Sequence, residues 1–166
     1  ALGDIMNTGV TKKDCEICPL LVGQTAADDN VILQTERWVA VLDRNQRYLG
    51  KSFITLRQHK ETLSELDEAD WIELHQVIRQ LEQAVKEAFG ADVCNWGCLM
   101  NNAVKAGQST HVHWHLHPRY LADTIFAGEE FPDPKWSRHL GDAVHMVSDE
   151  TFREIMQVLR SRLTRA

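Results

Sequence analysis

The sequence lacks any long hydrophobic run and is short of positive charge. No stretch of about 18 consecutive apolar residues occurs, so the 166 residues predict no membrane-spanning helix. Lysine and arginine number 18 against 24 aspartates and glutamates, a net charge of -6 at pH 7. Proteins that bind nucleic acid in general carry a basic face, so this balance argues against a nucleic-acid polymer as partner. A small anionic ligand is still compatible, because local groups can hold a phosphate within an acidic protein.

The chain also has few cysteines, and its first residues lack the basic-then-apolar order of a signal peptide. We therefore expect a cytoplasmic protein whose four cysteines stay reduced. Cys15 and Cys18 then read as a metal-binding pair or a redox pair. Cys94 and Cys98 fall in a predicted strand and are expected to be small core residues. Residues 1–14 are interpreted as a mobile lead-in.

The first half of the chain predicts three strands and a long helix. Residues 31–42 are rich in β-branched and apolar types and predict two short strands that meet near Glu36, and residues 52–56 predict a third. Thr62 and Glu65 have the spacing of a capping box, which places the start of the helix there. Apolar residues then recur at spacings of three and four until Gly90, a natural stop.

The second half predicts a pair of strands, an ordered loop region and a final helix. The strands are expected at residues 92–101 and 109–117, with Pro118 ending the second because proline cannot donate to a β-ladder. Residues 121–146 lack periodicity and are interpreted as ordered loop, and residues 149–163 as the last helix. Strands, helix, hairpin and helix in this order predict an α+β fold: an antiparallel sheet of about five strands with one long helix and a C-terminal helix.

Histidine alternates with apolar residues in the second of these strands. Successive side chains of a strand point to opposite faces, so His111, His113 and His115 are expected on one face. The other face would carry Val112, Trp114 and Leu116 and pack on the core. His117 has the same parity as the other histidines, but Pro118 is expected to turn it away. Such a face can bind a metal, perform proton-transfer and nucleophilic chemistry, or be merely solvated; strict alternation of a scarce residue favours catalysis.

Residues 107–119, Gly-Gln-Ser-Thr-His-Val-His-Trp-His-Leu-His-Pro-Arg, resemble the signature of the histidine triad family of nucleotide hydrolases and transferases. That signature is His-x-His-x-His followed by two apolar residues and often by Pro-Arg. The order of Val41-Leu42-Asp43, the Gly50 loop, a strand and Arg57-Gln58-His59 is similar to the first half of the family. The resemblance covers residues 15–120, which we interpret as the histidine triad domain, with residues 121–166 as a C-terminal extension of that domain.

The resemblance implies that His113 is the nucleophile, attacking an α-phosphate to give a nucleotidyl-histidine. It implies that His115 contacts a phosphate oxygen or the leaving group. The remaining implied contacts are phosphate donors and a ribose-binding carboxylate: Asn101, Gln108 and Ser109, and Asp43. Two departures leave a register with His115 as the middle histidine open: His117 stands where the family has an apolar residue, and only two residues separate Gln108 from His111.

The resemblance also implies a structural zinc ion and a homodimer. Family members with a Cys-x-x-Cys pair near the start bind zinc through it and two histidines, which correspond here to Cys15, Cys18, His59 and His111. The sheets of two subunits would join across a two-fold axis, and no organic cofactor is expected. The implied substrates are dinucleoside polyphosphates or nucleoside phosphoramidates. Two other functions stay open: a nucleotide- or zinc-binding module without turnover, and a metal-dependent hydrolase that uses the histidine face as its ligands.

Overall fold

A five-stranded antiparallel sheet forms the centre of the structure, a computed structural model that describes residues 12–138 and 143–163. The order of the strands across the sheet is β1-β2-β3-β5-β4. Their bounds are β1 Val31–Gln34, β2 Trp38–Leu42, β3 Ser52–Leu56, β4 Val93–Gly97 and β5 His113–Arg119. The predicted α+β class and the antiparallel sheet of five strands are therefore confirmed.

One face of the sheet is covered by two helices, the long helix α2 (Glu68–Phe89) and the C-terminal helix α4 (Asp149–Leu163). Alternation along the strands points the large apolar side chains toward these helices, and the apolar stripes of both helices pack against them. The C-terminal residues thus share the core of the sheet. Its fully buried large members include Trp38, Ile54, Leu56, Leu74, Leu81, Leu116, Phe152, Ile155 and Leu159.

The long helix begins later than its sequence signal indicated. Thr62 and Glu65 do form a capping box, but it closes a 3-10 turn at Leu63–Glu65 that ends where Leu66 turns extended. A second capping box, between Asp67 and Asp70, starts α2. The helix ends as expected, at a left-handed Gly90 with a φ of 74°.

The two strands of the second half are shorter or displaced relative to their predicted bounds. Strand β4 ends at Gly97, because residues Asn101–Lys105 form the short helix α3 instead of strand and loop. Strand β5 starts at His113 and continues through Pro118, contrary to expectation. The last pair between β5 and β3 is Ser52 with Leu116, so β5 has one neighbour at the proline and tolerates the missing N–H there.

Because β5 is not interrupted, His117 stays on the same face as His115, with ring centroids 5.9 Å apart. It is buried beside Tyr48, at a centroid distance of 5.4 Å. The expectation that Pro118 turns His117 away was therefore wrong.

The region predicted as ordered loop contains a small β-hairpin, β6 (Thr124–Phe126) and β7 (Glu129–Phe131), which forms a second sheet. The following segment is anchored by Arg119, whose buried guanidinium pairs with Asp133 at 2.5 Å and donates to three backbone carbonyls. The short helix α1 (Cys18–Leu21) precedes the sheet. Residues 1–11 of the predicted lead-in lie outside the described residues. Within the described ranges, no helix is both long and apolar enough to cross a membrane.

A buried carboxylate at the start of α2 generates a stability prediction. Asp70 is 1% exposed, and its side chain accepts from Lys60 at 2.5 Å and from Arg37 at 2.8 Å. Burial alone would raise the pKa of Asp70, but the hydrogen bonds from Lys60 and Arg37 outweigh it and hold the pKa below its usual value. We expect Asp70→Asn to lower the free energy of unfolding by about 3 kcal/mol at pH 7, measured by urea denaturation.

The effect depends on pH in a defined direction. The pKa of Asp70 is lower in the folded than in the unfolded chain, so its stabilisation is present above about pH 4 and is lost as the pH falls through the folded-state pKa. The difference between wild type and Asp70→Asn should shrink over that range. Glu87→Gln, on the exposed side of α2, is the matched control and should change stability by less than about 0.5 kcal/mol. Equal losses in both variants would contradict the assigned role of Asp70.

Candidate active site and metal centre

The face of the sheet opposite α2 forms the floor of a cavity of about 910 Å³. Its two walls are α1 with residues 24–30 and the segment of residues 99–109. The volume lies within the range of pockets that bind small molecules and cofactors. Strand alternation supplies the floor, since the side chains that face away from the core come from β2, β3 and β5: Val39, Val41, Phe53, Thr55, His113 and His115.

His113 has one ring nitrogen fixed by the backbone. Its Nδ1 lies 2.7 Å from the carbonyl oxygen of His111; a carbonyl only accepts, so Nδ1–H is the donor. In the neutral ring the lone pair is then on Nε2. Burial lowers the pKa of His113, against the opposing effect of the His111 carbonyl, so the ring is neutral at neutral pH. The residue has the tautomer and the protonation state that a nitrogen nucleophile needs.

His115 lies beside His113, with ring centroids 4.9 Å apart, and against the edge of Phe53 at 4.8 Å. Burial, followed by the charge of His113, lowers the pKa of His115 to about 4, so it is also neutral at neutral pH. Its Nε2 atom is buried and has no hydrogen-bond partner among the described residues. A backbone contact of His115 with Leu99 opposes this lowering of its pKa. The 2.7 Å contact of His113 Nδ1 with a carbonyl leaves the Nε2 lone pair of His113 free, which favours the register with His113 in the middle of the triad.

His111 also lines the cavity, and it belongs to a cluster of four potential metal ligands. One ligand atom from each of Cys15, Cys18, His59 and His111 lies within 4.8 Å of every other. The Nδ1 atom of His111 is 3.5 Å from the Cys15 sulfur, 3.6 Å from the Cys18 sulfur and 3.3 Å from Nδ1 of His59. Cys18 Sγ and His59 Nδ1 are 3.2 Å apart. These are the four residues that the resemblance pointed to, and together they can hold a metal ion.

The hydrogen bonds around this cluster orient the lone pairs inward. His111 Nε2–H donates to the carbonyl of Leu56 at 2.7 Å, which leaves the Nδ1 lone pair facing the two sulfurs and His59. Burial lowers the pKa of His111 to about 4, so the ring is neutral. On the far side of His59, Nε2 lies 3.5 Å from a carboxylate oxygen of Glu61. Several lone pairs that converge in a buried place repel one another unless a cation lies between them.

The residues predicted to bind nucleotide do not all reach the cavity. Gln108 and Ser109 line it, whereas Asn101 is exposed on α3 and its neighbour Asn102 lines the cavity instead. Because α3 is a helix and not the predicted strand, successive side chains turn by about 100°, and Asn101 and Asn102 point in different directions.

Asp43 follows β2 at the end of the floor, outside the residues that line the cavity. One carboxylate oxygen pairs with Lys51 at 2.5 Å and the other accepts from the backbone N–H of Asn45 at 2.9 Å. Lys51 was not predicted from the sequence as a site residue. It comes directly before β3 and has the same parity as Phe53, which pairs with His115, and this spacing could have indicated that Lys51 lies near the site.

Ser109 is bound to a residue next to the metal cluster. Its hydroxyl donates to a carboxylate oxygen of Asp14 at 2.7 Å, and its backbone N–H donates to the Asp14 carbonyl at 3.1 Å. The hydroxyl lowers the pKa of Asp14, which is therefore ionised at neutral pH. No sequence pattern signalled this contact, because the two residues are 95 positions apart.

The charges along the cavity are acidic. Glu16, Asp28 and Asp29 line it, and none of the described lining residues is lysine or arginine. Arg44 lies behind this wall, 3.5 Å from the Asp29 carboxylate and in contact with Asp149. A ligand in the cavity therefore meets more negative than positive side chains.

Comparison with known proteins matches residues 24–122 to the model of the HIT domain family. An uncharacterised HIT-like protein of Saccharolobus solfataricus is 28% identical over 142 residues, 85% of this chain and 99% of that protein. A second, from Methanocaldococcus jannaschii, is 28% identical over 110 residues, 66% of this chain and 81% of that protein. The matched family segment contains His59 and the histidine triad, whereas Cys15 and Cys18 precede it.

Solved structures share the fold at lower identity. A hypothetical histidine triad nucleotide-binding protein of Sulfolobus tokodaii has a TM-score of 0.65 at 22% identity, covering 91% of this chain and 93% of that one. A zinc-bound histidine triad family protein of Mycobacterium smegmatis has a TM-score of 0.58 at 21% identity, covering 91% and 94%. A diadenosine triphosphate hydrolase of Plasmodium falciparum has a TM-score of 0.57 at 18% identity, covering 83% and 78%.

The ligand cluster predicts that the purified protein contains one metal ion per chain. Cys18→Ser replaces a thiolate ligand and should reduce the metal content, measured by inductively coupled plasma mass spectrometry, by at least about tenfold after dialysis. Cys98→Ser is the matched control: its thiol is not one of the four clustered ligands, and the substitution should leave the metal content unchanged. Less than about 0.2 metal per wild-type chain, after expression with the metal supplied, would refute the site.

Proposed function

The chain belongs to the HIT domain family, and from this membership we propose that it is a nucleotide hydrolase or nucleotidyl transferase that acts at an α-phosphate. The candidate substrates are dinucleoside polyphosphates and nucleoside phosphoramidates. The observation that carries the proposal is the contact of His113 Nδ1 with the His111 carbonyl, which leaves Nε2 as the nucleophilic atom at the cavity floor.

The proposed reaction has two displacements at phosphorus. In the first, the Nε2 lone pair of His113 forms a bond to the α-phosphorus, and the bond from phosphorus to the leaving group breaks with its electron pair on the leaving group, which takes up a solvent proton where its basicity requires one. In the second, water or another acceptor attacks the nucleotidyl-histidine, gives its proton to solvent and releases His113. Dividing the reaction in this way replaces one difficult displacement by two easier ones.

The neighbouring residues have proposed roles in binding. His115, 4.9 Å from His113 between ring centroids, contacts a phosphate oxygen or the leaving group. Gln108 and Asn102 lie on the wall of the cavity and donate hydrogen bonds to phosphate oxygens, and Asn101 on the exposed side of α3 donates to the part of the substrate outside the cavity. Asp43 binds the ribose hydroxyls through its carboxylate, which then accepts hydrogen bonds from the hydroxyls as well as from Lys51.

We assign the metal as zinc with a structural role. For Zn–S distances of about 2.3 Å and Zn–N distances of about 2.0–2.1 Å, a tetrahedron separates S and N by about 3.6 Å and N and N by about 3.3 Å. The separations of 3.5 Å, 3.6 Å and 3.3 Å around His111 Nδ1 agree with these values, whereas Cys18 Sγ and His59 Nδ1, at 3.2 Å, are about 0.4 Å closer than a tetrahedron places them. Two thiolates and two neutral imidazoles are a common donor set of structural zinc sites.

The donor set also argues against the metal-dependent hydrolase. Catalytic zinc sites keep one position open for water or substrate, whereas four protein ligands fill a tetrahedral shell. Chelation separates the two mechanisms: a metal-dependent hydrolase loses activity at once, but the covalent mechanism loses it only as the chain unfolds. The binding module without turnover is the remaining alternative, and it has no use for a nitrogen nucleophile at the cavity floor.

We further propose a homodimer in the cytoplasm. Strand β4 is at the edge of the five-stranded sheet, and an edge strand can pair with a second copy across a two-fold axis. Val93 on this strand is 40% exposed, so a partner would cover an apolar side chain there. The reducing cytoplasm suits a site that needs both thiols of its Cys-x-x-Cys pair free.

The nucleophile assignment is tested by turnover of adenosine phosphoramidate, diadenosine triphosphate and diadenosine tetraphosphate, with products identified by mass. Wild type should release a nucleoside monophosphate from at least one substrate. His113→Ala should lose turnover by a factor of about a thousand or more, because it removes the nitrogen that forms the covalent intermediate. Intact-mass analysis of wild type quenched during turnover should show the nucleotidyl adduct.

Matched variants make the outcome specific. His115→Ala should retain adduct formation but turn over more slowly, and His75→Ala, on the outer side of α2, should retain full activity. Full activity in His113→Ala, or an adduct found on His115, would show that His113 is not the nucleophile. Nucleotide binding by a wild type that turns over none of the panel would favour the binding module.

The dimer is tested by size-exclusion chromatography with light scattering. The expected mass is about 38 kDa, twice the chain mass of 19.0 kDa. A clean monomer at micromolar concentration would contradict the β4 pairing.

A further inference from the structure

We propose that Asp14 determines the leaving-group preference of this site by binding the Ser109 proton. Ser109 then acts as an acceptor for an N–H group of the substrate, and the site prefers nucleoside phosphoramidates to dinucleoside polyphosphates. The inference rests on the proposed function, because it selects one of the two substrate classes that function allows.

The first observation is that Asp14 occupies both donors of Ser109. The hydroxyl donates to the Asp14 carboxylate at 2.7 Å and the backbone N–H donates to the Asp14 carbonyl at 3.1 Å. In this contact the Ser109 hydroxyl is the donor and the Asp14 carboxylate oxygen is the acceptor. The lone pairs that remain on Ser109 can accept but not donate. A phosphate oxygen, itself an acceptor, gains nothing from this hydroxyl, whereas an N–H group does.

The second observation is a neighbouring acceptor without a partner. Gln108 also lines the cavity, and its side-chain carbonyl oxygen is buried with no hydrogen-bond partner among the described residues. A buried acceptor that stays unpaired destabilises the site, so a ligand that brings a donor to this oxygen binds more tightly. Gln108 and Ser109 are thus consecutive acceptors on the same wall of the cavity.

The third observation is the charge of the cavity. Glu16, Asp28 and Asp29 line it without a lysine or arginine among the described lining residues, and Asp14 adds a carboxylate next to the wall. Arg44 offsets the charge of Asp29 from behind. Each internucleotide phosphate carries about one negative charge, so a polyphosphate chain is repelled more strongly here than the single phosphate of a phosphoramidate.

The chemistry of the leaving nitrogen agrees with this arrangement. When His113 attacks, the P–N bond breaks with its electron pair on nitrogen, and the amine takes up one proton from water. The N–H bond present in the substrate is retained in the product amine. A hydrogen bond from it to Ser109 can therefore persist throughout the displacement and orient the nitrogen as it leaves.

The experiment compares two substrates that differ by one N–H: the N-methylamidate and the N,N-dimethylamidate of adenosine 5′-phosphate, with diadenosine tetraphosphate as the third. For wild type, kcat/KM should favour the N-methylamidate over the dimethyl compound by about tenfold, the value of one good hydrogen bond. It should favour the N-methylamidate over the tetraphosphate by about a hundredfold, because the repulsion of the phosphate chain adds to that hydrogen bond.

The variants separate the hydrogen bond from the charge. In Asp14→Ala the Ser109 hydroxyl can donate as well as accept, so the ratio of N-methyl to N,N-dimethyl substrate should fall below its wild-type value and kcat/KM for the tetraphosphate should rise about tenfold. Glu16→Gln removes one charge from the wall without a contact to Ser109; it should raise tetraphosphate turnover less and leave the N–H ratio as in wild type. Ser109→Ala, which keeps Asp14, should bring the N–H ratio to about one.

Metal content and the midpoint of thermal unfolding are measured for each variant, since Asp14 precedes a metal ligand. If Asp14→Ala loses metal or does not fold, Ser109→Ala decides the question. A wild type that cleaves the tetraphosphate as well as the N-methylamidate, or an N–H ratio unchanged in both variants, would overturn the inference while the proposed function stands. A wild type that cleaves none of the three substrates would overturn the proposed function, and this inference with it.

Discussion

The position of His111 is the constraint on which the two centres of this structure depend. Its Nε2–H donates to the Leu56 carbonyl, its Nδ1 faces the two cysteines and His59, and its backbone carbonyl accepts from His113. One residue therefore connects β3, the metal cluster and the ring at the cavity floor. A rotation of the His111 ring would disturb the ligand geometry, and a shift of its backbone would release the His113 tautomer.

The sheet explains how a short run of chain can supply such different environments. In β5 and the residues before it, every second side chain is apolar and packs with α2 and α4, while the intervening histidines face the cavity. Burial on both sides makes these rings neutral, because an imidazolium in this place would lose its hydration. Burial of β5 in the fold thus forms the apolar core on one face and keeps the histidines of the other face neutral.

Much of this arrangement could be predicted from local patterns, and the exceptions have physical reasons. Alternation identified the histidine face, because it depends on residue type and spacing. The Cys-x-x-Cys spacing indicated one half of the metal cluster, and the family resemblance supplied His59 and His111. The start of α2 could not be chosen between two successive capping boxes, Thr62 with Glu65 and Asp67 with Asp70, since only the extended backbone of Leu66 separates them. Helix α3 lacks a side-chain cap, which is why strand and loop were predicted where Asn101 stands on a helix.

The contacts that complete the metal cluster join distant segments of the chain. Cys15 and His111 are separated by 96 positions, so the ligand set closes a loop of more than half the chain. During synthesis the two cysteines emerge first, but His59 is the one further ligand of the four available to them until His111 has left the ribosome. Closing so long a loop costs chain entropy, which metal binding must offset. A nascent chain can thus complete its metal site only after residue 111, just before β5, has been made.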